Sequence, residues 1–439
     1  MKRFSFLAIS AAALFPVAAM ADTSANLLLH GECDHSNMQY RPGEEMAFTL
    51  KLQGDSPVEA GKYSLVWTRK GDDGKQEEGK FEVKPNEPMV VKTSLGCPGF
   101  VYIYAELKDS EMKTVKSTHK NSNGGKVCFH GGAGVEIEKL ETVPEPKDFD
   151  EFWAKQKQLL AKVPIKAERK EIPCKNNQVR IYEVKIDCAD PRPVTGYLTI
   201  PTAADSGKKF PARAEFHGYS DNRIHRAPGG GPNNVVVLNI NAHGYELGRD
   251  DQFYKDFYTS IRKNGHSYAL NESPDTPADE LYFNGMVLRV MRALQYLKSL
   301  PEWDGQHLIA SGGSQGGLQT MWAAGCGEGV TEATPSVTWG CDLGGQKVPN
   351  RIHIGWGIKF TNPGLLYYDA VNFAKRIPST CRVIITRAGM GDYTCPPSGV
   401  AMSYNAMKCP KRIHWVQGST HGYVPPAPQQ VFDISGNGF

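Results

Sequence analysis

The sequence predicts two parts of different fold class. An all-β, immunoglobulin-like sandwich is expected over residues 22–134, followed by an α/β domain with a mostly parallel, doubly wound sheet over residues 135–439. The first part contains about seven short stretches with strand-like alternation, separated by turn residues, as in β-sandwiches. In the second part, short apolar runs alternate with stretches of helical periodicity, which is typical of a parallel sheet covered by helices.

The first residues predict an export signal. Lys2 and Arg3 precede an apolar run over residues 4–19, and small residues at 19 and 21 suit cleavage before residue 22. The run is too short for a good membrane anchor, and no later run approaches the roughly twenty apolar residues that a span needs. We therefore expect residues 1–21 to be removed and the protein to be secreted or periplasmic.

The charge of the chain argues against two classes of partner. The formal net charge is +3, and loss of Lys2 and Arg3 leaves +3 − 2 = +1 for the mature chain. Nucleic acid and anionic membrane surfaces are bound by strongly basic patches, which this balance does not supply. We expect no nucleic acid partner and no integral membrane contact.

Alternation predicts the strands of the first part. Apolar residues at 46, 48, 50 and 52 have polar neighbours, which indicates a half-buried strand. Residues 63–67 and 80–83 flank a turn-rich connection, and residues 89–92 and 100–107 add two more strands. Trp67, Tyr102 and Tyr104 could be sugar-binding platforms, but the more economical interpretation places them in the sandwich core.

Glycine-rich stretches at residues 121–125 and 131–134 mark the boundary between the two parts. Asp148 and Glu151 have the spacing of a capping box, which predicts a helix beginning there. The next expected elements are strands at residues 181–186, 197–200 and 235–240, and a helix over residues 283–297.

A serine lies between glycines in the second part. The run Gly-Gly-Ser-Gln-Gly-Gly at residues 312–317 follows a strand-like stretch, 308–310, and precedes a helix-like stretch, 318–324. Strand, sharp turn and helix are the context of a nucleophile elbow, in which the glycines make room for a strained backbone. The bare motif can arise by chance in a chain with 45 glycines, but this context favours Ser314 as the nucleophile of a serine hydrolase.

An acid and a histidine follow in the order that this architecture uses. Asp392 lies after the strand-like run 381–386, and His421 lies after the run 412–416. Catalytic groups of open α/β sheets collect at the carboxyl ends of strands, so we expect both residues beside Ser314. His421 would take the proton of Ser314, and Asp392 would hold the imidazole in the required tautomer.

The oxyanion of an acyl-transfer intermediate also needs donors. The backbone N–H of Gln315 follows the nucleophile, and the second donor is expected from an earlier strand loop. His-Gly-Tyr at residues 217–219 directly follows a short strand-like run, so Tyr219 N–H is the candidate. His217 could be read as a metal ligand, but it has no partner at suitable spacing, and we expect a structural role.

The chain has ten cysteines, an even count that permits full pairing in an exported protein. Two disulfides are plausible, Cys174–Cys188 and Cys326–Cys341. A zinc site is a weaker interpretation of a second group, because these residues lack paired close spacing. Its members are Cys33, His35, Cys128 and His130. We expect no metal and no cofactor.

Taken together, these motifs resemble the acetyl xylan esterase/cephalosporin-C deacetylase family, carbohydrate esterase family seven of the α/β-hydrolase superfamily. The similar stretches are residues 149–153, 217–219, 312–317, 368–374, 391–397 and 401–405, with His421. The resemblance implies an α/β-hydrolase fold. It also implies a triad of Ser314, Asp392 and His421, with the amides of Tyr219 and Gln315 as the oxyanion hole.

We therefore expect an exported serine esterase that removes O-acetyl groups from xylan or related acetylated poly- or oligosaccharides through an acyl-enzyme intermediate. Two alternatives stay open. One is an exported carboxylesterase or peptidase that acts on non-carbohydrate substrates, and the other is a sugar-binding protein with an inactive hydrolase domain. The sequence does not indicate an oligomeric state.

Overall fold

The computed structural model describes residues 23–219, 224–225, 230–262, 268–269, 272–353 and 360–439. The expected export signal lies outside the described residues. Within these ranges, no helix has the length and apolar character needed to cross a membrane.

The first part of the chain is built from strands. Their bounds are β1 Ser24–Ala25, β2 Leu27–Cys33, β3 Gln39–Tyr40, β4 Met46–Gly54, β5 Tyr63–Gly71, β6 Gln76–Glu82, β7 Met89–Thr93, β8 Gly99–Asp109, β9 Lys116–Ser117 and β10 Cys128–Val135. One sheet has the order β3-β10-β8-β5-β6, a second has the order β2-β4-β7, and β1 pairs with β9. The all-β character follows the prediction, while the immunoglobulin-like assignment stays a prediction.

Apolar side chains on one face of these strands form the core of the first part. In β4 the buried residues are Met46, Phe48 and Leu50, which point to one face because successive side chains of a strand alternate. Leu65 of β5 and Ile103 of β8 belong to the same buried cluster. The predicted alternation at residues 46–52 therefore marks a core face.

The second part combines helices with a large sheet. Its strands are β11 Ala167–Ile172, β12 Val179–Ile186, β13 Val194–Pro201, β14 Phe210–Phe216, β15 Val236–Ile240, β16 Trp303–Gly313, β17 Glu332–Ser336, β18 Arg382–Gly389, β19 Lys411–Val416 and β20 Val431–Gly436. Its α-helices are α1 Phe149–Ala161, α2 Asp251–Ser260, α3 Tyr282–Ser299, α4 Gln315–Gly325, α5 Ala370–Ala374 and α6 Pro397–Ala406.

The ten strands of the second part form one sheet, with the order β11-β12-β13-β15-β14-β16-β17-β18-β19-β20. The six from β15 to β19 are parallel, and this is the segment that the alternation of strands and helices predicts. Both margins are antiparallel, because β11, β12 and β13 follow one another through short connections and β20 returns beside β19. "Mostly parallel" thus describes the centre of the sheet only.

The two parts share one continuous apolar core. Phe100 of β8 packs on Trp415 of β19, with ring centroids 5.4 Å apart. The glycines at 131–134, which the sequence suggested as a boundary, lie within β10. They allow a close approach: a Cβ on Gly132 would lie 2.3 Å from Val101 O and 3.1 Å from Met390 O.

The expected disulfides are not formed. All ten cysteines are free thiols. Cys326 Sγ donates to Ala323 O and Cys341 Sγ to Thr338 O, so each is occupied within its own turn. Cys174 and Cys188 are also unbridged. The pairings were inferred from sequence spacing, which does not determine the distance between two Cβ atoms.

Candidate active site

Ser314 lies on the sharp turn between β16 and α4, as predicted. Its backbone has φ 59° and ψ −121°, a strained conformation for a residue with a Cβ. The turn is held on both sides, because Ser314 N donates to Ser336 O at 3.0 Å and Trp339 N donates to Ser314 O at 3.1 Å. The side chain is only partly buried, so its Oγ can meet a substrate.

The glycines beside the serine are required by the neighbouring strand. A Cβ on Gly316 would lie 2.2 Å from Phe216 O, and a Cβ on Gly312 would lie 2.6 Å from the same oxygen. No side chain fits at such distances without movement of the backbone. The glycines are therefore explained by the close contact of the turn with β14, which puts Ser314 beside the loop that follows that strand.

Ser314, His421 and Asp392 form a hydrogen-bonded line. His421 Nε2 lies 2.9 Å from Ser314 Oγ, and His421 Nδ1 lies 3.0 Å from Asp392 Oδ2. The Asp392 side chain is 1 % exposed and that of His421 is 29 % exposed. Asp392 Oδ1 accepts from Thr394 N at 3.1 Å and Cys395 N at 3.0 Å, which directs Oδ2 towards the imidazole. In this geometry a histidine can take a proton from the serine while the carboxylate stabilises the imidazolium.

The two expected oxyanion donors lie close to the serine. Gln315 is the first residue of α4, where a backbone N–H has no partner within the helix. Tyr219 follows β14 on the loop beside the nucleophile, and a Cβ on the preceding Gly218 would lie 3.7 Å from Ser314 Cβ. Both positions suit donation to an oxyanion bound at Ser314, and the role of each stays a prediction.

Tyr268 links these two residues, and the sequence analysis missed it. Its ring stacks on Tyr219, with centroids 4.4 Å apart and planes 12° from parallel. Tyr219 OH donates to Tyr268 O at 3.2 Å, and Tyr268 OH donates to Gln315 Oε1 at 2.8 Å. No periodicity or motif at residue 268 indicates this contact with residues 47 and 49 positions away.

A buried carboxylate, that of Asp369, orders the loop that follows β17 and contacts the serine turn. Asp369 accepts from Asp342 N at 3.1 Å, Leu343 N at 2.6 Å and Val371 N at 2.9 Å. Burial raises the pKa of Asp369 to about 7, and the nearby Asp342 acts in the same direction. The same loop carries Trp339, whose backbone N–H donates to Ser314 O. Asp369 therefore supports the serine turn indirectly, by ordering this loop.

Cys395 lies close to the imidazole. Its Sγ is 3.6 Å from His421 Nδ1, and the ligand atoms of Asp392, Cys395 and His421 all lie within 4.8 Å of one another. A metal ion would need the cysteine as a thiolate. Burial instead raises the pKa of the Cys395 thiol well above its usual range, and the carboxylate and imidazole already bind each other. The donor set therefore fits a proton relay better than a metal site.

The zinc candidates are occupied by other contacts. Cys33 Sγ donates to His35 O, His35 Nδ1 binds Gln39 O, and His130 Nδ1 lies 2.6 Å from Tyr102 OH. Within the described ranges, these residues are not among the grouped potential metal ligands. His217 is similarly used in the fold, because its Nε2 accepts from Ala242 N at 3.1 Å and its Nδ1 lies 2.8 Å from Gly218 O.

A mixed α/β fold with a serine, a histidine and an aspartate in this hydrogen-bonded line defines the class of protein: a hydrolase. The sequence model of the family described as Acetyl xylan esterase (AXE1) matches residues 136–346 and 361–434, and the chain belongs to this family. It is therefore a carboxylic ester hydrolase with esterase activity on acetylated substrates. The family resemblance inferred from the motifs is confirmed.

Individual relatives agree with this assignment. The chain is 29% identical over 364 residues to the acetyl esterase Axe7A of Xylanibacter ruminicola, covering 78% of this chain and 77% of that protein. An acetyl xylan esterase from Paenibacillus sp. R4 superposes with a TM-score of 0.52 at 22% identity, over 66% of this chain and 94% of that one. Acetyl xylan esterase 1 from Thermoanaerobacterium sp. JW/SL YS485 gives 0.51 at 21% identity, over 67% and 94%. These two structures share the fold over about two thirds of this chain.

Proposed function

We propose that this protein is an exported esterase that removes O-acetyl groups from xylan or related acetylated poly- or oligosaccharides. The observation that carries the proposal is the line of two hydrogen bonds from Ser314 Oγ through His421 to Asp392. The family and the names of the relatives support an acetyl ester as the substrate.

The mechanism follows from the positions of the groups. His421 Nε2 takes the Ser314 hydroxyl proton as Oγ attacks the acetyl carbonyl, and Asp392 stabilises the imidazolium that forms. The N–H groups of Gln315 and Tyr219 bind the oxyanion. His421 then gives its proton to the leaving sugar alcohol, which leaves an acetyl ester on Ser314. Water activated by His421 hydrolyses that ester and releases acetate.

We further propose that residues 135–439 are an α/β-hydrolase catalytic domain and that residues 22–134 form a β-sandwich of the immunoglobulin type. The central parallel strands, with the serine after one and the acid and histidine after two others, support the first assignment. Export is proposed from the leader at residues 1–21, which is charged at its start, then apolar, and ends in small residues.

The direct test is acetate release from acetylated xylan by the mature protein, with acetylated glucomannan in parallel. Ser314→Ala is the matched control, because it removes only the oxygen that His421 binds. Release that is lost in the variant supports the proposal, and the ratio between the polymers identifies the preferred substrate. A protein that hydrolyses a small activated acetate ester through Ser314, yet releases no acetate from either polymer, would instead be a carboxylesterase for non-carbohydrate esters.

A further inference from the structure

Strand β10 of the first part touches the loop that carries Asp392. A Cβ on Gly391 would lie 2.3 Å from His130 O and 2.6 Å from His130 Cβ. Gly391 has no left-handed backbone angle, so its own conformation does not require glycine. The requirement comes from β10, which lies directly against the residue before Asp392.

Tyr393, the residue after Asp392, also contacts the first part of the chain. Tyr393 packs its ring on Tyr102 of β8, with centroids 4.2 Å apart. Tyr102 OH lies 2.6 Å from His130 Nδ1, and the His130 ring lies 4.7 Å from that of Tyr104. Burial lowers the pKa of His130 to about 4, so at neutral pH the ring is uncharged and its Nδ1 can accept a hydrogen bond from Tyr102 OH. Tyr102 and Tyr104, considered above as sugar platforms, are thus used in contacts within the protein.

The loop that carries His421 is attached to β10 as well. The buried Gln417 side chain accepts from Gly132 N at 2.9 Å and donates to Gly132 O at 2.8 Å. The two catalytic loops are also joined to each other, because Gly391 N donates to Ser419 O at 3.0 Å. Strands β8 and β10 therefore contact both loops next to Asp392 and close to His421.

We infer that β8 and β10 position Asp392 and His421 for proton transfer, with His130, Tyr102 and Gln417 as the positioning residues. Strands β8 and β10 lie outside the segments matched by the family, which begin at residue 136, whereas Gln417 lies within them. The N-terminal part is then a brace of the catalytic loops rather than an attached sugar-binding module. The inference rests on the proposed roles of Ser314, His421 and Asp392.

The test introduces one methyl group between β10 and the acid loop. Gly391→Ala forces His130 O and Asp392 apart, whereas Gly422→Ala, next to His421, meets no heavy atom within 4 Å and serves as the matched control. We expect kcat on a small activated acetate ester to fall at least about tenfold in Gly391→Ala with little change in KM, because misplacement by a fraction of an ångström costs catalysis rather than binding. The control is expected to stay within about twofold.

A merely structural role would leave the pH profile unchanged. An Asp392 carboxylate moved away from His421 stabilises the imidazolium less, and the acidic limb of kcat/KM depends on this stabilisation. The limb should therefore shift to lower pH in Gly391→Ala. If that variant does not fold, Gln417→Leu replaces it in the test. This substitution adds no bulk to the contact but removes both hydrogen bonds to Gly132, and it is read out by the same kcat and the same acidic limb of kcat/KM.

Folded variants that keep wild-type kcat and the wild-type acidic limb would overturn the inference. Failure of the underlying mechanism gives a different result: Ser314→Ala would then retain ester hydrolysis. Failure of the substrate assignment leaves ester hydrolysis intact and removes only acetate release from polysaccharide. The three outcomes are distinguishable with one set of proteins.

Discussion

Replacement of Asp392 by asparagine should change the tautomer of His421, the histidine that it binds. Asp392 Oδ1 accepts two backbone N–H groups, from Thr394 and Cys395, while Oδ2 faces His421 Nδ1. In the Asn variant the amide oxygen should keep the two N–H groups, which places its NH2 against Nδ1. Nδ1 must then accept, so the proton lies on Nε2 and points at Ser314 Oγ. Such an imidazole cannot act as the base.

The size of the loss in activity can be worked out from the alternative orientation of the asparagine amide, in which its oxygen and nitrogen exchange places. Turning the amide would restore the correct tautomer but would leave two buried N–H groups facing an NH2 group, at about 1–3 kcal/mol each. The competent form is thus disfavoured by about 2–6 kcal/mol, which corresponds to a loss in kcat of about 30-fold to somewhat more than 10⁴-fold. KM should change little, because the substituted atom does not touch the substrate.

The assay is the pH-dependent hydrolysis of a small activated acetate ester, with active serine counted by titration. Asp433→Asn is the matched control: Asp433 also binds a histidine Nδ1, that of His414, but its side chain is 49 % exposed and it lies on the edge strand β20. The control should keep full activity. An Asp392→Asn enzyme within tenfold of wild type would refute the assigned hydrogen-bond directions, and with them the role of Asp392.

Three further changes probe the surroundings of the serine. Tyr268→Phe removes the donor to Gln315 Oε1; ester hydrolysis should show kcat reduced about tenfold at constant KM, since one buried polar atom loses its partner. Gly316→Ala puts a Cβ 2.2 Å from Phe216 O; a lowered thermal unfolding midpoint together with lost activity is expected, and a normal midpoint with normal activity would contradict the predicted clash. For Asp369, the folded pKa of about 7 lies above the ordinary value of 3.8; its contribution to stability is therefore complete below about pH 4 and is lost as pH rises through 7. Between about pH 4 and 7, the free energy of unfolding measured with denaturant should fall less steeply with pH in Asp369→Asn than in the wild type, by up to about 1.4 kcal/mol per pH unit.

The parts of the site that are local in sequence could be predicted. The strand, glycine, serine, glycine and helix of the elbow are consecutive, so residues 312–317 contain the whole signal. Asp392 and His421 could be predicted to lie near Ser314 because the carboxyl ends of parallel strands meet at one edge of a sheet. The structure brings both residues to Ser314.

The parts that depend on distant contacts could not be predicted. Tyr268 acts on Gln315 through a contact across 47 residues, and its surroundings in sequence carry no pattern. The glycines at 131, 132 and 134 resemble a linker by composition, but they lie in tightly packed places: a Cβ on Gly132 would meet Val101 O and Met390 O, and a Cβ on Gly131 would meet the Gln417 side chain. The disulfide predictions were wrong for the same reason, since spacing along the chain does not set distance in space.

The bonds that join the two ends of the chain impose an order on maturation. Gly132 and Gln417 are 285 residues apart, and Cys33 and Gln430 are 397 residues apart. Contacts of such separation form late, after a large loop closes. A nascent chain must therefore keep the apolar surface around Phe100 uncovered until Trp415 has been synthesised. A chain interrupted before residue 415 would leave this apolar surface exposed and would also lack His421, so we expect it to aggregate rather than to act as a weaker enzyme.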